Sequence, residues 1–342
     1  MASNRLSVKR FVLSAVILGG LFSCTGHHSR EIIQAGVWRD TDGKIINAHG
    51  GGILFFNSVY YWYGEFKGDS TYRLNKIRTW ECYRSETGGV SCYSSRNLAD
   101  WKFEGIALST VKEDTASDLH PSKIIERPKV IYNEKTHKFV MWMHIDNGTY
   151  TKAMAGVAVS DKPAGPFSYL GSFKPSGGDS RDQTIFRDDD GRAYQVASSE
   201  GNKTLYISLL SDDYTKTTGT YSRNFINNSR EAPAVFKHLG KYYLITSACT
   251  GWDPNQAKYA VADSMLGPWK VIGNPCSGKD AGKTFYAQST FVLWVQGEKD
   301  FYIAMFDRWN KTNLIDSRYI WLPVRFNDRL IDIPWTNRLN IN

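Results

Sequence analysis

The stretch ERPKVIYNEKTHKFVMWMH, residues 126–144, decides the fold because it holds one complete copy of a repeating pattern. A polar residue opens a strand of β-branched and aromatic residues, a short turn follows, and a second aromatic-rich strand completes the copy. Strands joined by turns this short predict antiparallel β-hairpins. The other four copies are HGGGILFFNSVYYWYGE (49–65), DQTIFRDDDGRAYQVAS (182–198), EAPAVFKHLGKYYLITS (231–247) and QSTFVLWVQGEKDFYIAMF (288–306).

The spacing of the copies predicts how the hairpins are arranged. Their apolar starts at Ile53, Val130, Ile185, Val235 and Val292 lie 77, 55, 50 and 57 residues apart, and helical periodicity is scarce. Such a period is typical of stacked four-stranded units, and radial repetition of short strands limits open sheet edges. The sequence therefore predicts an all-β fold, a five-bladed β-propeller. A large two-sheet sandwich is the alternative.

The charge balance depends on the N-terminal segment. The 342 residues carry 42 Lys and Arg against 34 Asp and Glu, a formal net charge of +8. Residues 1–23 have a positive start and an apolar run, Phe11 to Phe22, that is short for a membrane span, and together they predict an export signal. Without this segment the charge is 39 − 34 = +5, and no basic run remains, which argues against nucleic-acid binding.

The export signal ends in LFSC (21–24), which resembles a bacterial lipobox. Cys24 is therefore predicted to become a lipidated first residue, with residues 24–30 as a short linker and residues 31–342 as the propeller. An ordinary secretory signal and an uncleaved anchor are the alternatives. We expect a monomer in the bacterial cell envelope, in the periplasm or at the outer membrane, held to the membrane through the lipid alone.

The four other cysteines lie in a chain that is predicted to be exported to an oxidising compartment. Cys82–Cys92 and Cys249–Cys276 are candidate disulfides there, and buried free thiols are the alternative. Their spacings match no zinc-binding pattern. The acidic run DDDG (188–191) is more typical of a hairpin turn than of a calcium loop. We therefore expect no metal and no cofactor.

Residues just ahead of the innermost strand of each blade are expected to converge on the central funnel of a propeller. Counting about four residues back from the apolar starts, and three in the third copy, places His49, Glu126, Asp182, Glu231 and Gln288 there. Carboxyl groups that face one another raise one another's pKa, and one of them then becomes a proton donor. Glycoside hydrolysis needs such a donor for the leaving oxygen. The set therefore predicts a glycosidase site.

Aromatic side chains on loops above the funnel are expected to stack on sugar rings. Trp252 lies in the loop CTGWDPN (249–255) and is the best candidate. Trp62, Trp142 and Tyr243 lie within strands, where aromatic residues usually belong to the core.

Eight stretches of the chain resemble glycoside hydrolase family 43, and more narrowly its exo-β-1,3-galactanase subfamily, subfamily 24. The resemblance covers nearly all of residues 31–323 and implies a five-bladed propeller with an inverting mechanism. The stretches are NAHGGGIL (47–54), YYWYGE (60–65), ERPKVIYN (126–133), SRDQTIFRDDDG (180–191), SREAPA (229–234), CTGWDPN (249–255), FYAQST (285–290) and DSRYIWLP (316–323).

The resemblance implies a role for each funnel residue. Glu231 matches the general acid, and Asp182 matches the aspartate that tunes the acid and orients the sugar. Most members carry an aspartate base at the start of the first blade, where this chain and the galactanase subfamily do not. Gln288 matches the residue that is proposed to hold the attacking water in that subfamily. Glu126 matches a nearby residue that is essential there. An amide is a poor base, so Glu126 is the alternative base. The residues expected to bind substrate are Glu65, His49, Trp252 and Asn255.

The resemblance also implies a substrate, an oligo- or polysaccharide of β-1,3-linked galactose such as the arabinogalactan backbone. The expected reaction is exo-acting release of galactose with inversion. One alternative is an α-L-arabinofuranosidase or β-galactofuranosidase that acts on arabinogalactan side chains. The other is a non-catalytic sugar-binding propeller, against which Glu231, Asp182 and Glu126 argue because a lectin needs no proton donor.

Overall fold

The structure, a computed structural model, describes residue 1, residues 30–74 and residues 81–341. The predicted export signal and Cys24 lie outside the described residues. Strands make up most of the described chain, and its helical elements are 3₁₀ turns at Pro175–Gly177, Ala281–Tyr286 and Leu314–Asp316. Over these ranges no helix combines the length and the apolar character that a membrane crossing requires.

Blades I to IV are four antiparallel sheets of four strands each, and the order in space follows the order in the chain. Blade I comprises β2 (His49–Phe56), β3 (Val59–Arg73), β4 (Tyr83–Ser95) and β5 (Lys102–Leu108). Blade II comprises β6 (Ile124–Asn133), β7 (Lys138–Asp146), β8 (Met154–Ser160) and β9 (Ser168–Phe173). Blade III comprises β10 (Arg181–Arg187), β11 (Ala193–Ser199), β12 (Thr204–Leu210) and β13 (Thr217–Asn224). Blade IV comprises β14 (Arg230–His238), β15 (Lys241–Ala248), β16 (Lys258–Ala262) and β17 (Lys270–Gly273).

Blade V has five strands in the spatial order β18-β22-β21-β20-β19. They are β18 (Cys276–Ser277), β19 (Gln288–Trp294), β20 (Tyr302–Arg308), β21 (Arg318–Asn327) and β22 (Leu330–Pro334). The first strand of each hairpin repeat is innermost, because β2 contacts β6, β6 contacts β10, β10 contacts β14, β14 contacts β19, and β19 returns to β2. This closed ring confirms the five-bladed propeller and excludes the sandwich.

The aromatic residues of the strands pack between the blades, as the sequence predicts. Trp62, Trp142 and Tyr243 are all buried. Trp101, which follows the last turn of the first repeat, lies edge-on to Trp62 with ring centroids 5.3 Å apart. Edge-to-face pairs of this kind stabilise beyond the area that they bury. Trp62 also packs against Trp321 of blade V, with ring centroids 5.1 Å apart, so these rings lie at the interface between blades I and V.

The two ends of the described chain meet beside blade V. There β1 (Arg30–Ile33) pairs antiparallel with β23 (Arg338–Ile341). The segment after β1 continues onto blade V, since the backbone N–H of Ala35 donates to the Tyr319 carbonyl at 3.0 Å. The ends of the chain therefore hold the first and last parts of the propeller together.

The predicted disulfides are wrong: Cys82, Cys92, Cys249 and Cys276 form no disulfide in the described part of the chain. Cys82 and Cys92 lie ten residues apart along the extended β4 segment, a separation of about 30 Å at ~3.3 Å per residue. A disulfide needs Cα atoms within about 7 Å. Cys276 is buried in the core at the outer edge of blade V, whereas Cys249 faces the pocket described below. Cys92 and Cys276 are buried, as the alternative predicts, whereas Cys249 is only partly buried.

Candidate active site

A pocket of about 350 Å³ opens where the innermost strands begin. It holds Glu126, Asp182, Glu231 and Gln288 together, and Glu65 and Trp252 line it as well. The structure thus brings all four residues predicted to be catalytic into one cavity. The other lining residues are Arg127, His144, Tyr150, Arg181, Asn202, Cys249, Thr250, Gly251 and Trp309.

Each innermost strand carries a bulge near its start, and in blades II to V the residues beside that bulge line the pocket. Before each bulge the strand pairs with its neighbour over one to three residues, and in blade II the last of these pairs is Glu126 with His144. A β-bulge bends its strand and redirects side chains, which suits the rim of a ring of blades. The residues paired before the shift are His49, Glu126, Arg181, Glu231 and Gln288.

This register explains why Asp182 stands three residues before its apolar start, whereas the equivalent residues of the other blades stand four before theirs. Arg181, not Asp182, occupies the position that Glu126 and Glu231 hold in their blades. Asp182 stands one residue later, with a left-handed φ of 43°, where Arg127 has φ 54° in blade II. This left-handed backbone conformation redirects the side chain of Asp182 into the pocket. The predicted residues also lie within the innermost strands rather than ahead of them.

Glu231 is a buried carboxyl group that is surrounded by donors. Its Oε1 accepts from Gln288 Nε2 and its Oε2 accepts from Asn202 Nδ2, each at 3.2 Å. Burial, and then the nearby charge of Asp182, raise the pKa of Glu231 to about 8. Burial disfavours the charged form of a carboxyl group and a second carboxylate does the same. Glu231 is therefore protonated at neutral pH.

Glu126 is the opposite case, a carboxylate with 12% of its side chain exposed that is held by positive charge. Burial alone would raise its pKa, but His144 and Lys67 lower the pKa to about 2. Its Oε2 lies 3.3 Å from His144 Nδ1, and its Oε1 accepts from the Tyr150 hydroxyl at 2.7 Å. Behind it, His144 Nε2 lies 3.2 Å from Asp146 Oδ2. Glu126 is thus ionised at any physiological pH.

His144 is charged because it lies between two carboxylates. Burial opposes the charge, yet the contacts with Asp146 and Glu126 raise the pKa of His144 to about 9. Donor atoms of Glu126, His144 and Asp182 lie within 4.8 Å of one another, a spacing that a metal ion could bridge. A metal requires a neutral imidazole, and Asp182 is already paired with Arg127. We assign no metal to this cluster.

Gln288 uses both ends of its amide group within the protein. Its Oε1 accepts from Arg127 Nη2 at 2.5 Å and from Trp309 Nε1 at 3.0 Å. Its Nε2 donates to Glu231 and, at 2.9 Å, to Ser247 Oγ. Two donors on the oxygen and two acceptors at the nitrogen satisfy the amide and fix its orientation.

Arg127 connects three of the predicted site residues and was missed by sequence reasoning. Its Nε lies 3.3 Å from Asp182 Oδ1, and its Nη2 donates to Gln288. Its backbone N–H donates to Glu65 Oε1 at 3.0 Å. The second oxygen of Glu65 forms an ion pair of 2.5 Å with Lys67 Nζ. Arg127 is therefore the centre of a buried charge network beneath the pocket.

The aromatic wall of the pocket is formed by Trp252 and Trp309. Their ring centroids lie 5.1 Å apart in an edge-to-face pair. Trp252 Nε1 donates to the Tyr83 carbonyl at 2.9 Å, which ties the wall to the long hairpin of blade I. The ammonium group of Lys67 lies 5.6 Å from the Trp252 ring centroid. Trp252 thus lines the pocket from a loop, as the sequence predicts.

Two residues expected to bind substrate lie elsewhere. His49 is fully buried below the pocket, where it stacks on Tyr319 with centroids 4.9 Å apart, so that no sugar reaches it. Asn255 accepts from the backbone N–H of Ala248 at 2.8 Å and donates back to its carbonyl at 3.0 Å. Its amide is occupied in holding the loop that carries Trp252. Both predictions are corrected to supporting positions.

Some of the missed residues carry a signal in the sequence and others do not. His144 ends the hairpin that Glu126 begins, so antiparallel pairing across the turn predicts their contact. Tyr150, Asn202 and Trp309 lie in connections between strands, and neither repeat nor register predicts where a loop side chain points.

A family model and one curated relative both match this chain to glycoside hydrolases. The family model of glycosyl hydrolases family 43 matches residues 65–304. A xylan 1,3-β-xylosidase from Vibrio sp. is 24% identical over 200 residues, which are 54% of this chain and 36% of that protein. The chain therefore spans about a third of the curated relative that it matches.

Solved structures give a longer match. A family 43 β-1,3-galactosidase solved with galactodeoxynojirimycin is 45% identical, with a TM-score of 0.84 over 90% of this chain and 100% of that chain. An exo-β-1,3-galactanase from Phanerochaete chrysosporium solved with galactose is 36% identical, with a TM-score of 0.81 over 92% of this chain and 69% of that one. Together with the family model, these matches show that the chain belongs to family 43 of the glycosyl hydrolases.

Proposed function

We propose that this protein is an inverting, exo-acting glycoside hydrolase that releases galactose from β-1,3-galactan. The observation that carries the proposal is the protonated, buried Glu231 in the same pocket as the ionised Glu126. Paired carboxyl groups with pKa values pushed apart are the mark of an acid and a base. The choice of galactan rests on the β-1,3-galactosidase and galactanase relatives.

Glu231 is the proposed general acid. With a pKa of about 8 it keeps its proton at neutral pH and can deliver that proton to the glycosidic oxygen. Asp182, which helps to raise that pKa, is held by Arg127 beside the acid. Asp182 is therefore proposed to tune the acid and to bind the sugar in the pocket.

The attacking water is proposed to lie between Glu126 and Gln288. Both oxygens of Glu126 keep acceptor capacity, because a carboxylate can accept about four hydrogen bonds and the structure places one hydroxyl and one imidazolium on this one. The Gln288 oxygen already accepts from Arg127 and Trp309. This difference favours Glu126 as the acceptor of the water proton, with Gln288 orienting the groups around it.

The decisive experiment compares three substrates and reads the products. Purified protein is incubated with β-1,3-galactan, an aryl β-galactoside and an aryl α-arabinofuranoside, and the products are separated by chromatography. We expect galactose as the sole early product from galactan, and proton NMR should show the α-anomer first. Release of arabinose, or of mixed oligosaccharides from galactan, would contradict the substrate and the exo mode respectively.

A Glu231→Gln variant serves as the matched control for that screen. It preserves the shape of the side chain and removes the transferable proton. We expect galactan turnover to fall by at least about 10²-fold, the range of general-acid catalysis. Full activity of this variant would refute the assignment of the acid.

We also propose that the mature chain is a monomer anchored in the cell envelope through a lipid on Cys24. The support is the LFSC stretch at residues 21–24 after an apolar run. Metabolic labelling with a radioactive fatty acid should mark the wild type and leave a Cys24→Ser variant unlabelled. Equal labelling of the two proteins would contradict the proposal.

A further inference from the structure

Asn202 reaches the carboxyl group of Glu231 from the neighbouring blade. It lies in the turn between β11 and β12 of blade III with a φ of 66°, a left-handed conformation that asparagine tolerates well. Its Nδ2 lies 3.2 Å from Glu231 Oε2. Its Oδ1 is buried and has no hydrogen-bond partner among the described residues. One end of this amide is thus engaged and the other is unsatisfied.

The protonated carboxyl group of Glu231 needs a hydrogen-bond acceptor, whereas the amide groups that contact it are placed as donors. Asn202 Nδ2 and Gln288 Nε2 both donate to Glu231, and the thiol of Cys249, which donates to the Asn202 backbone carbonyl at 3.8 Å, interacts with Glu231 as well. Donors suit a carboxylate. A protonated carboxyl group carries an O–H donor of its own and therefore needs an acceptor.

Of the two amides on Glu231, only Asn202 can turn to provide one. Rotation of the Gln288 amide would place its NH₂ group against Arg127 Nη2 and Trp309 Nε1, which are both donors. Rotation of the Asn202 amide breaks no contact of its oxygen, because that oxygen has none in the described structure. The oxygen and nitrogen of an amide are nearly the same size, so the turn requires no extra space.

We propose that Asn202 is a positioning residue that serves Glu231 in both of its protonation states. Before the reaction its Oδ1 accepts the hydrogen bond of the Glu231 carboxylic acid and holds that group in place. The proton then passes to the glycosidic oxygen, and Asn202 turns so that its Nδ2 donates to the resulting carboxylate. Asn202 itself gains and loses no atom. This inference rests on the proposed role of Glu231 as the acid.

Other groups face the same carboxyl and stay constant in the test. Asp182 approaches from blade III and Arg127 from blade II, while Cys249 and Arg230 lie on blade IV itself. Their combined effect sets the pH at which Glu231 loses its proton. A change at Asn202 alone therefore reports the contribution of its amide.

Two substitutions test the inference without straining the backbone. Asn202→Gly removes the side chain and suits the left-handed φ, whereas Asn202→Asp keeps the shape but replaces the donor by a second carboxyl group. The measurement is kcat/KM against pH on β-1,3-galactobiose. We expect the basic limb to move down in Asn202→Gly, as water reaches Glu231, and up in Asn202→Asp, by roughly one pH unit in each direction.

A second substrate separates positioning from damage to the fold. We expect Asn202→Gly to lose about tenfold or more in kcat on galactobiose, whose sugar leaving group needs the acid. On an aryl galactoside with an acidic phenol as leaving group, the loss should be less than about threefold, since little proton donation is required. A purely structural role would reduce both rates together.

The matched control is Asn227→Gly, another asparagine with a left-handed φ of 60° but an exposed side chain. It should leave both rates and both limbs of the pH profile unchanged. Basic limbs that stay at the wild-type position in both Asn202 variants would overturn the inference while the wild type remains active. A wild type without activity on any β-galactoside would instead overturn the proposed function.

Discussion

Two carboxyl groups in the same pocket, Glu231 and Glu126, are held in opposite protonation states. Glu231 is surrounded by neutral donors and faces Asp182, whereas Glu126 contacts a histidinium and lies near Lys67. One carboxyl group is therefore ready to give a proton and the other to accept one. The difference arises from which strand pairs with each residue: Ser247 lies opposite Glu231, and His144 lies opposite Glu126.

The raised pKa of Glu231 predicts that the catalytic group weakens the fold at alkaline pH. A group whose pKa rises on folding stabilises fully below its unfolded value, here 4.5, and this contribution is lost as the pH rises through about 8. Glu231→Gln has no proton to lose. We expect the variant to match the wild type in Tm at pH 5 and to exceed it above pH 8, by up to a few kcal/mol in unfolding free energy.

Calorimetry or thermal shift across pH 4 to 10 measures this difference directly. Glu104→Gln is a suitable control because Glu104 lies on β5 of blade I, away from the pocket. A constant difference in Tm between Glu231→Gln and the wild type across the whole pH range would contradict the prediction.

The identity of the base is tested by comparing Glu126→Gln with Gln288→Ala. If Glu126 accepts the water proton, Glu126→Gln should lose at least about 10²-fold in kcat, and added azide or formate should restore part of the rate in a variant Glu126→Ala. Gln288→Ala should lose kcat through misplaced Glu231 and Arg127, and small anions should not rescue it. Rescue of Gln288→Ala alone would transfer the role of base to Gln288.

At the scale of the element, hairpin pairing is what could be predicted and bulge geometry is what could not. The repeat of strand, turn and strand identifies the innermost strands, and with them the three blades that carry Glu126, Glu231 and Gln288. Alternation in a strand has a period of two, so one inserted residue reverses which side chain points inward. Asp182 occupies the bulge itself, and although it stands three residues before its apolar start rather than four, the spacing alone does not say that a bulge turns it into the pocket.

The connections between strands were beyond prediction for a different reason. Asn202 and Trp309 reach the pocket from loops whose shape depends on contacts with other blades. His49 was expected in the pocket and is instead covered, which its own strand does not predict either. It has the right place in its strand, but the Trp309 and Tyr319 rings pack around it and cover it. Local sequence pattern carries no information about which distant loop covers a site.

The long hairpin of β3 and β4 acts as a brace for the aromatic wall. The Tyr83 carbonyl of this hairpin accepts from Trp252 Nε1, and Thr71 Oγ1 accepts from the backbone N–H of Leu314 on blade V at 2.8 Å. We predict that Trp252→Phe, which keeps a ring but loses the N–H, raises KM for galactobiose about threefold. Trp252→Ala should raise it more than tenfold, since stacking contributes ~1 kcal/mol or more.

The value of kcat shows whether Trp252 acts by binding the sugar or by taking part in the chemical step. Both Trp252 variants should keep kcat within about threefold of the wild type, because neither touches Glu231 or Glu126. Trp294→Phe, at an exposed position on β19, is the control and should change neither constant. A fall in kcat that exceeds the rise in KM would assign Trp252 to the transition state instead.

At the scale of the whole molecule, the ring must be closed between its first and last blades. Ile32 of β1 and Leu339 and Ile341 of β23 belong to one buried cluster with Trp62 of blade I and Trp321 of blade V. β1 and β23 therefore lie at the interface where blades I and V, which are distant in sequence, meet. Closure of a long loop costs chain entropy, and this cluster provides the compensating burial at that place.

The closure predicts that a single substitution in the last strand destabilises the entire propeller. Leu339 is buried and Asn340 is exposed on the same strand, so Leu339→Ala and Asn340→Ala differ in the face that they alter. Leu339→Ala should cost about 2–4 kcal/mol and lower Tm by several degrees in a single transition, while Asn340→Ala stays within about 0.5 kcal/mol of the wild type. Because the pocket lies on the axis, where the innermost strands of blades II to V and Glu65 of blade I contribute residues, loss of activity on heating should coincide with this transition in both variants. A separate early transition in Leu339→Ala that leaves galactan turnover intact would show that blades I and V hold together without the paired ends.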